Sequence, residues 1–166
     1  MNSLTGAIII APKSIHNNLS TLKRAIEIAF EAHRDQKDKN GEPYIGHVLR
    51  VMNMGKTENE KICGVLHDLV EDTEWTFDNL RSEGFSKTIV DALTCVTKTS
   101  EDEDYEEFTD RIAKNRLAVL VKINDLSDNM DVRRFDVIRE KDIHRLNKYL
   151  RAYRRLTQIL SENADH

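Results

Sequence analysis

Residues 61–73 read Lys61-Ile-Cys-Gly-Val-Leu-His-Asp-Leu-Val-Glu-Asp-Thr73. The stretch is apolar enough to be buried, yet within it sit one imidazole, His67, and three carboxylates, Asp68, Glu71 and Asp72. Buried charges must be paired or bound to a metal. No Lys or Arg lies between Lys61 and Arg81 to pair with these. Drawn as one helix over residues 58–70, the segment puts Ile62, Val65, Leu66, Leu69 and Val70 on one arc and the polar four on the other. Asp68 and Asp72 then repel at i, i+4. The acidic end would also meet the negative pole of the helix. A solvated acidic face is one solution; a bound cation is the other.

Outward from this segment, apolar residues recur at helical spacing almost throughout. The spacing predicts helices over residues 21–36 (capped by Ser20), 47–54, 58–70, 77–82 (closed by Gly84), 86–96, 105–114, 117–130 and 141–160. No window alternates with period two long enough for a strand. Gly (6) and Pro (2) are scarce, against a turn-rich β architecture. The expectation is an all-α, single-domain helical bundle over residues 20–160, preceded by an N-terminal extension, 1–19. The acidic run Glu101-Asp-Glu-Asp104 is expected as a solvated loop, with a lid as the alternative.

The bulk chemistry excludes some classes. A net charge of −4 disfavours non-specific nucleic-acid binding. Cys63 and Cys95 lie in apolar runs without zinc spacing and are expected as reduced core residues. The run Ala7-Ile-Ile-Ile-Ala11 lacks a basic flank and is too short for a membrane span. A cytoplasmic protein with no membrane partner is expected. Nothing in the pattern assigns an oligomeric state.

Two further helices direct polar groups where core residues belong. Leu22, Ile26 and Ala29 share a line that His33 continues. Ala118 and Val121 share one that Asp125 and Asn129 continue. A lone core histidine is most simply a hydrogen-bonded one, and a core aspartate can pair with Arg or Lys from another helix. Jointly, however, His33, His67, Asp68 and Asp125 make a mixed N/O set suited to Mn, Fe or Zn, with positions left for water. Without thiolates it does not look like a structural zinc site. Such an ion lowers the pKa of water and polarises a phosphoryl oxygen. Glu71 and Asp72 stand one turn on, placed to orient that water or carry its proton.

The order His…His-Asp…Asp is that of the HD superfamily of metal-dependent phosphohydrolases. Ala32-His33-Arg-Asp-Gln36, Gly41-Glu-Pro-Tyr-Ile45 with His47, His67-Asp-Leu-Val-Glu-Asp-Thr73, Val96-Thr-Lys98, and Val121-Lys-Ile-Asn-Asp125 with Asn129 follow one another. Over residues 20–155 the chain resembles the hydrolase domain of the RelA/SpoT family, including its small stand-alone hydrolases. The resemblance implies a nucleotide substrate, guanosine tetraphosphate, losing its 3′-pyrophosphate, usually with manganese. It implies His33, His67, Asp68 and Asp125 as metal ligands and Glu71 and Asp72 as catalytic acids. It places Asn129 in the nucleotide pocket, with Lys39 and Tyr44 at its mouth. His47 is a second candidate near the site, expected rather to brace the loop after Pro43. The chain is too short to hold a synthetase domain as well, so making the alarmone is not expected. Asp38 and Leu126 stand where the family usually has basic residues. A phosphohydrolase for another nucleotide or dinucleotide phosphate, a non-catalytic nucleotide-binding module and a purely structural helical protein are the alternatives. The last helix carries Arg145, Arg151, Arg154 and Arg155 as expected surface charge, with Leu146, Tyr149, Leu150, Tyr153 and Leu156 expected inward.

Overall fold

The computed structural model describes residues 21–39, 41–100 and 102–162. Residues 1–20, including the proposed cap Ser20 and the run Ala7–Ala11, lie outside the described residues, as does Glu101. The described secondary structure is helical: α1 Leu22–Ala32, α2 Ile45–Met54, α3 Glu58–Leu66, α4 Leu69–Asp72, α5 Phe77–Ser82, α6 Lys87–Val96, α7 Tyr105–Ala113, α8 Arg116–Asn129 and α9 Glu140–Glu162. A 3-10 turn, Val132–Arg134, joins α8 to α9. Among the described residues no strand forms, only an isolated bridge between Lys37 and Pro43. The protein is all-α, as its periodicity implies.

Local chemistry sets the boundaries. The cap of α1 is Thr21, whose hydroxyl accepts from the amide of Arg24. The helix stops at Ala32 and does not run to Gln36. Thr57, Thr76, Ser86, Asp104 and Asn115 cap α3, α5, α6, α7 and α8 through side-chain oxygens, each worth about 1 kcal/mol. Gly84, at φ +90°, follows α5 in the left-handed region that glycine enters without strain. The acidic run is therefore structural in part. Asp104 is a cap, and Glu103 is buried against Arg111 while accepting from the amide of Thr99.

The segment 58–72 is not one helix. It breaks at His67–Asp68, with Asp68 at φ −101° and ψ 1°. The Gly64 carbonyl, which a continuing helix would offer to the amide of Asp68, takes a hydrogen bond from Nδ1 of His67 at 2.8 Å. Glu71 and Asp72 thus lie in a new turn begun by Asp68, not at the negative pole of α3.

Helix α3 is the centre of the bundle, with Ile62, Cys63, Gly64, Val65 and Leu66 all buried. It packs on α1, α2, α6 and α8. Gly64 is needed there: a Cβ would stand 3.0 Å from Cα of Met52 on α2. That close crossing brings the first turn of α2 and the end of α3 to one place. Cys63 is buried, Cys95 half-buried, and both are free thiols. On α9, Ala152 and Leu156 are buried but Leu150 is exposed, against its expected inward position. No described helix is long and apolar enough to cross a membrane.

Candidate metal centre

Three elements converge where α2, the α3–α4 break and α8 meet. His47 enters from the first turn of α2, His67 and Asp68 from the break, and Asp125 from α8. Nε2 of His47 lies 3.2 Å from Nε2 of His67. Oδ1 of Asp125 stands 3.3 Å from the first and 3.4 Å from the second. Oδ2 of Asp68 is 2.9 Å from His67 Nε2 and 3.6 Å from His47 Nε2. Donor atoms of His47, His67 and Asp68 all fall within 4.8 Å of one another, close enough to share one ion.

The hydrogen bonds on the far side of each ring decide what these nitrogens offer. His67 Nδ1 faces a carbonyl oxygen, which only accepts, so Nδ1 carries the proton. His47 Nδ1 faces Oδ2 of Asp128 at 2.7 Å, again an acceptor. In the neutral tautomers both Nε2 atoms therefore present lone pairs to the same point, beside two carboxylates. Such a donor set demands a cation, and its composition suits a divalent transition metal. Protons are the competing cations. Burial acts to lower the His67 pKa, but the charge of Asp68 and hydrogen bonds with Asp125 and Asp68 outweigh it and raise it to about 9. Burial likewise opposes charging His47, and hydrogen bonds with Asp125, Asp128 and Asp68 lift it to about 11. Burial would raise the Asp68 carboxyl, but His67 and His47 hold it far below the usual carboxylate range.

His33 is outside the set of donor atoms that lie within 4.8 Å of one another. It lies just past the end of α1 at 1% exposure, where Nδ1 meets Oε1 of Gln36 at 2.6 Å. Gln36 Nε2 in turn donates to Oδ2 of Asp72 at 2.9 Å. Nε2 of His33 is buried without a hydrogen-bond partner, and the His33 ring packs against Tyr44 at 5.3 Å. His47, expected to brace the loop after Pro43, stands with Nε2 beside that of His67. The sequence names His47 as a second candidate near the site, and its spacing agrees, since it precedes the buried Val51 by four residues. Its nearness to Pro43 suggested a turn role instead.

The remaining candidates line one cleft of about 400 Å³ that opens from the cluster. Tyr44 donates its hydroxyl to Asp68. Asn129 donates to Oδ1 of Asp125 at 2.5 Å. Oε2 of Glu71 accepts from the amide of Lys98 at 3.1 Å. Lys39 reaches the cleft and is partly desolvated, its pKa lowered first by burial and then by Arg145. Lys98, Arg145 and Lys148 line the same cleft. The Lys148 pKa is lowered by burial and by the charges of Lys98, Lys122 and Arg145. Arg145 is thus part of the cleft rather than plain surface charge. Lys122, missed from sequence, bonds Oδ2 of Asp125 at 2.7 Å and sits 5.2 Å from the Phe108 ring centroid. The two departures from the family pattern also find explanations. Leu126 is fully buried in the core and does not line the cleft. Asp38 is paired with Arg134, a base supplied by the 3-10 turn.

No protein-family model matches the chain. A GTP pyrophosphokinase of Streptomyces coelicolor is 32% identical over 163 residues, covering 92% of this chain and 19% of that protein. A guanosine-3′,5′-bis(diphosphate) 3′-pyrophosphohydrolase of Aquifex aeolicus is 32% identical over 120 residues, covering 66% of this chain and 17% of that protein. The chain thus spans under a fifth of the length of these curated relatives. Among solved structures, a metazoan ortholog of SpoT that hydrolyzes ppGpp matches with a TM-score of 0.67 at 21% identity, over 86% of this chain and 94% of that one. That likeness establishes the shared fold.

Proposed function

We propose, from the premise that this chain is homologous to one region of the RelA/SpoT-family proteins, that it is a manganese-dependent phosphohydrolase releasing pyrophosphate from the 3′ position of guanosine tetraphosphate. The observation that carries this reading is the pair of opposed Nε2 atoms of His47 and His67, 3.2 Å apart, beside Asp68 and Asp125 at the floor of a cation-walled cleft.

In this reading His47, His67, Asp68 and Asp125 hold the ion, and His33 acts behind Gln36 and Asp72. A divalent ion held there supplies Lewis acidity, making water acidic enough to attack at neutral pH. The chain's own groups do the rest. Glu71, steadied by the Lys98 amide, and Asp72, steadied by Gln36, accept and pass on the proton of the attacking water. Lys98, Arg145 and Lys148 grip the phosphates, while Lys39 and Tyr44 stand at the entrance and Asn129 beside Asp125. The water oxygen bonds to the phosphorus next to the 3′ oxygen. The bond from that phosphorus to the 3′ oxygen breaks, pyrophosphate departs, and the sugar keeps a 3′-hydroxyl. Two free cysteines suit a reducing cytoplasm.

The acid at Asp38 favours a second reading, in which the same chemistry serves a less highly charged nucleotide or dinucleotide phosphate. Purified protein with Mn²⁺ and a nucleotide panel separates the two. Pyrophosphate release from guanosine tetraphosphate, abolished by a chelator and by His67→Ala, is expected. Turnover of another nucleotide with the tetraphosphate untouched overturns the narrower assignment, and ligand binding without turnover overturns the enzyme.

A further inference from the structure

The peptide unit that joins Thr97 to Lys98, just past the end of α6, is held on both sides. Its N–H, from Lys98, donates to Oε2 of Glu71 at 3.1 Å. Its carbonyl, from Thr97, accepts from Nη2 of Arg111 at 2.8 Å. In a planar trans peptide these two groups point in opposite directions, so a partner that fixes the carbonyl also aims the N–H. Arg111 belongs to α7 and does not line the cleft, whereas Glu71 and Lys98 do.

Arg111 is itself seated. Its guanidinium carbon stands 5.2 Å from the centroid of the buried Phe108 ring. Glu103, whose side chain is 8% exposed, accepts from Nη1 and, at 3.1 Å, from Nη2. Oε2 of the same carboxylate accepts from the amide of Thr99 at 2.9 Å. The pair therefore grips the chain on either side of Lys98. A guanidinium suits this task, because its planar fork serves a carboxylate and a carbonyl together, which the point charge of an ammonium does less well. Its charge also polarises the peptide and strengthens the Lys98 N–H as a donor. Glu71 is exposed, so its carboxylate would turn in solvent without that donor.

We infer that Arg111, seated by Glu103, is a positioning residue that orients the Thr97–Lys98 peptide so that the Lys98 amide holds the Glu71 carboxylate in the cleft. The kinetic part of its test rests on the reading of Glu71 as the group that takes the proton of water; the spectroscopic part does not. In ¹⁵N-labelled protein, Glu71→Ala is expected to move the Lys98 amide proton upfield in the parent and hardly at all in Arg111→Met, where the contact is already lost. An equal shift in both backgrounds overturns the inference, because the contact then stands without Arg111. In the turnover assay, Arg111→Met is expected to lower kcat about 10- to 100-fold, the scale of a misplaced catalytic group, with KM and Mn²⁺ affinity unchanged. In a Glu71→Gln background the same substitution should cost nothing further. Losses that multiply across the two substitutions overturn the inference in favour of a plain structural ion pair. If Arg111→Met does not fold, Glu103→Ala, which unseats the guanidinium, replaces it in both measurements with the same expected and contrary results. A parent that hydrolyses no nucleotide removes the proposed activity, and the Lys98 amide resonance alone then decides.

Discussion

Nε2 of His47 and Nε2 of His67 face each other at 3.2 Å, each ring tethered by a hydrogen bond on its opposite nitrogen. His33, equally buried, touches Gln36 and Tyr44 instead. The two histidines therefore differ in what their loss does. His47→Ala should weaken Mn²⁺ binding at least 10-fold, the scale of losing even an outer partner of a ligand. His33→Ala should leave Mn²⁺ affinity near the parent value and lower turnover through Asp72. Metal titration and turnover, measured on both variants, check this; a His33→Ala protein that no longer binds Mn²⁺ restores His33 as a ligand.

The metal-free protein should lose stability as pH rises. The folded pKa of His67, about 9, lies above its ordinary value near 6.5. Its stabilising share is therefore complete below about 6.5 and lost as pH climbs through about 9. His47, at about 11, prolongs the loss. The groups facing the pair are Asp68, Asp125 and Asp128, with Tyr44 and Lys122 behind them. Melting curves from pH 6 to 10 should fall for metal-free protein and stay flatter with Mn²⁺ bound. Parallel curves would show that the imidazoles carry no linked protons.

Glu71 is held by a backbone amide and makes no contact with the imidazole pair. Glu71→Gln should lower kcat by about 10²- to 10⁴-fold, the range of a general base. Mn²⁺ affinity should not change. Loss of metal binding in that variant would move Glu71 from proton transfer to ligation.

Lys148 is crowded by Lys98, Lys122 and Arg145 and lies 4.6 Å from the Tyr105 ring centroid. A bound polyphosphate relieves that repulsion. Lys148→Met should raise KM about tenfold, some 1.4 kcal/mol, with kcat little altered and with weaker dependence on salt. An unchanged KM would place the substrate elsewhere in the cleft.

A Cβ at residue 64 would press on the backbone of Met52 and Val51. Gly64→Ala should therefore destabilise the fold by about 1–3 kcal/mol, read from urea unfolding. It should also disturb metal binding, because the same crossing sets the spacing of His47 and His67. Full stability in this variant would mean that α2 and α3 can separate without penalty.

Helical periodicity made the fold legible: α5 has its expected bounds, and α2 and α6 to α9 lie within about two residues of theirs. Short-range competition for hydrogen bonds was not legible. The His67 imidazole takes the Gly64 carbonyl, and so one expected helix becomes two. In the site, Asp125 stands out because a carboxylate on a core seam is rare, and His67 and Asp68 because their segment is otherwise apolar with no Lys or Arg beside them. His47 and His33 carry the same local signal, and only the α2–α3 crossing distinguishes them. Lys122, Arg134 and Asp128 were missed because a long cation or a helix-end acid reads as ordinary surface until its partners, some of them about 80 residues away, are placed beside it.

The cleft is assembled from distant ends of the chain. The imidazole–carboxylate cluster comes from α2, the α3–α4 break and α8, whereas Arg145, Lys148 and Tyr149 all belong to α9. Since α9 adds no group to the imidazole–carboxylate cluster, its cleft-facing positions can vary without disturbing that cluster. A scaffold divided this way can acquire a taste for a new nucleotide by editing one helix while its chemistry is inherited unchanged.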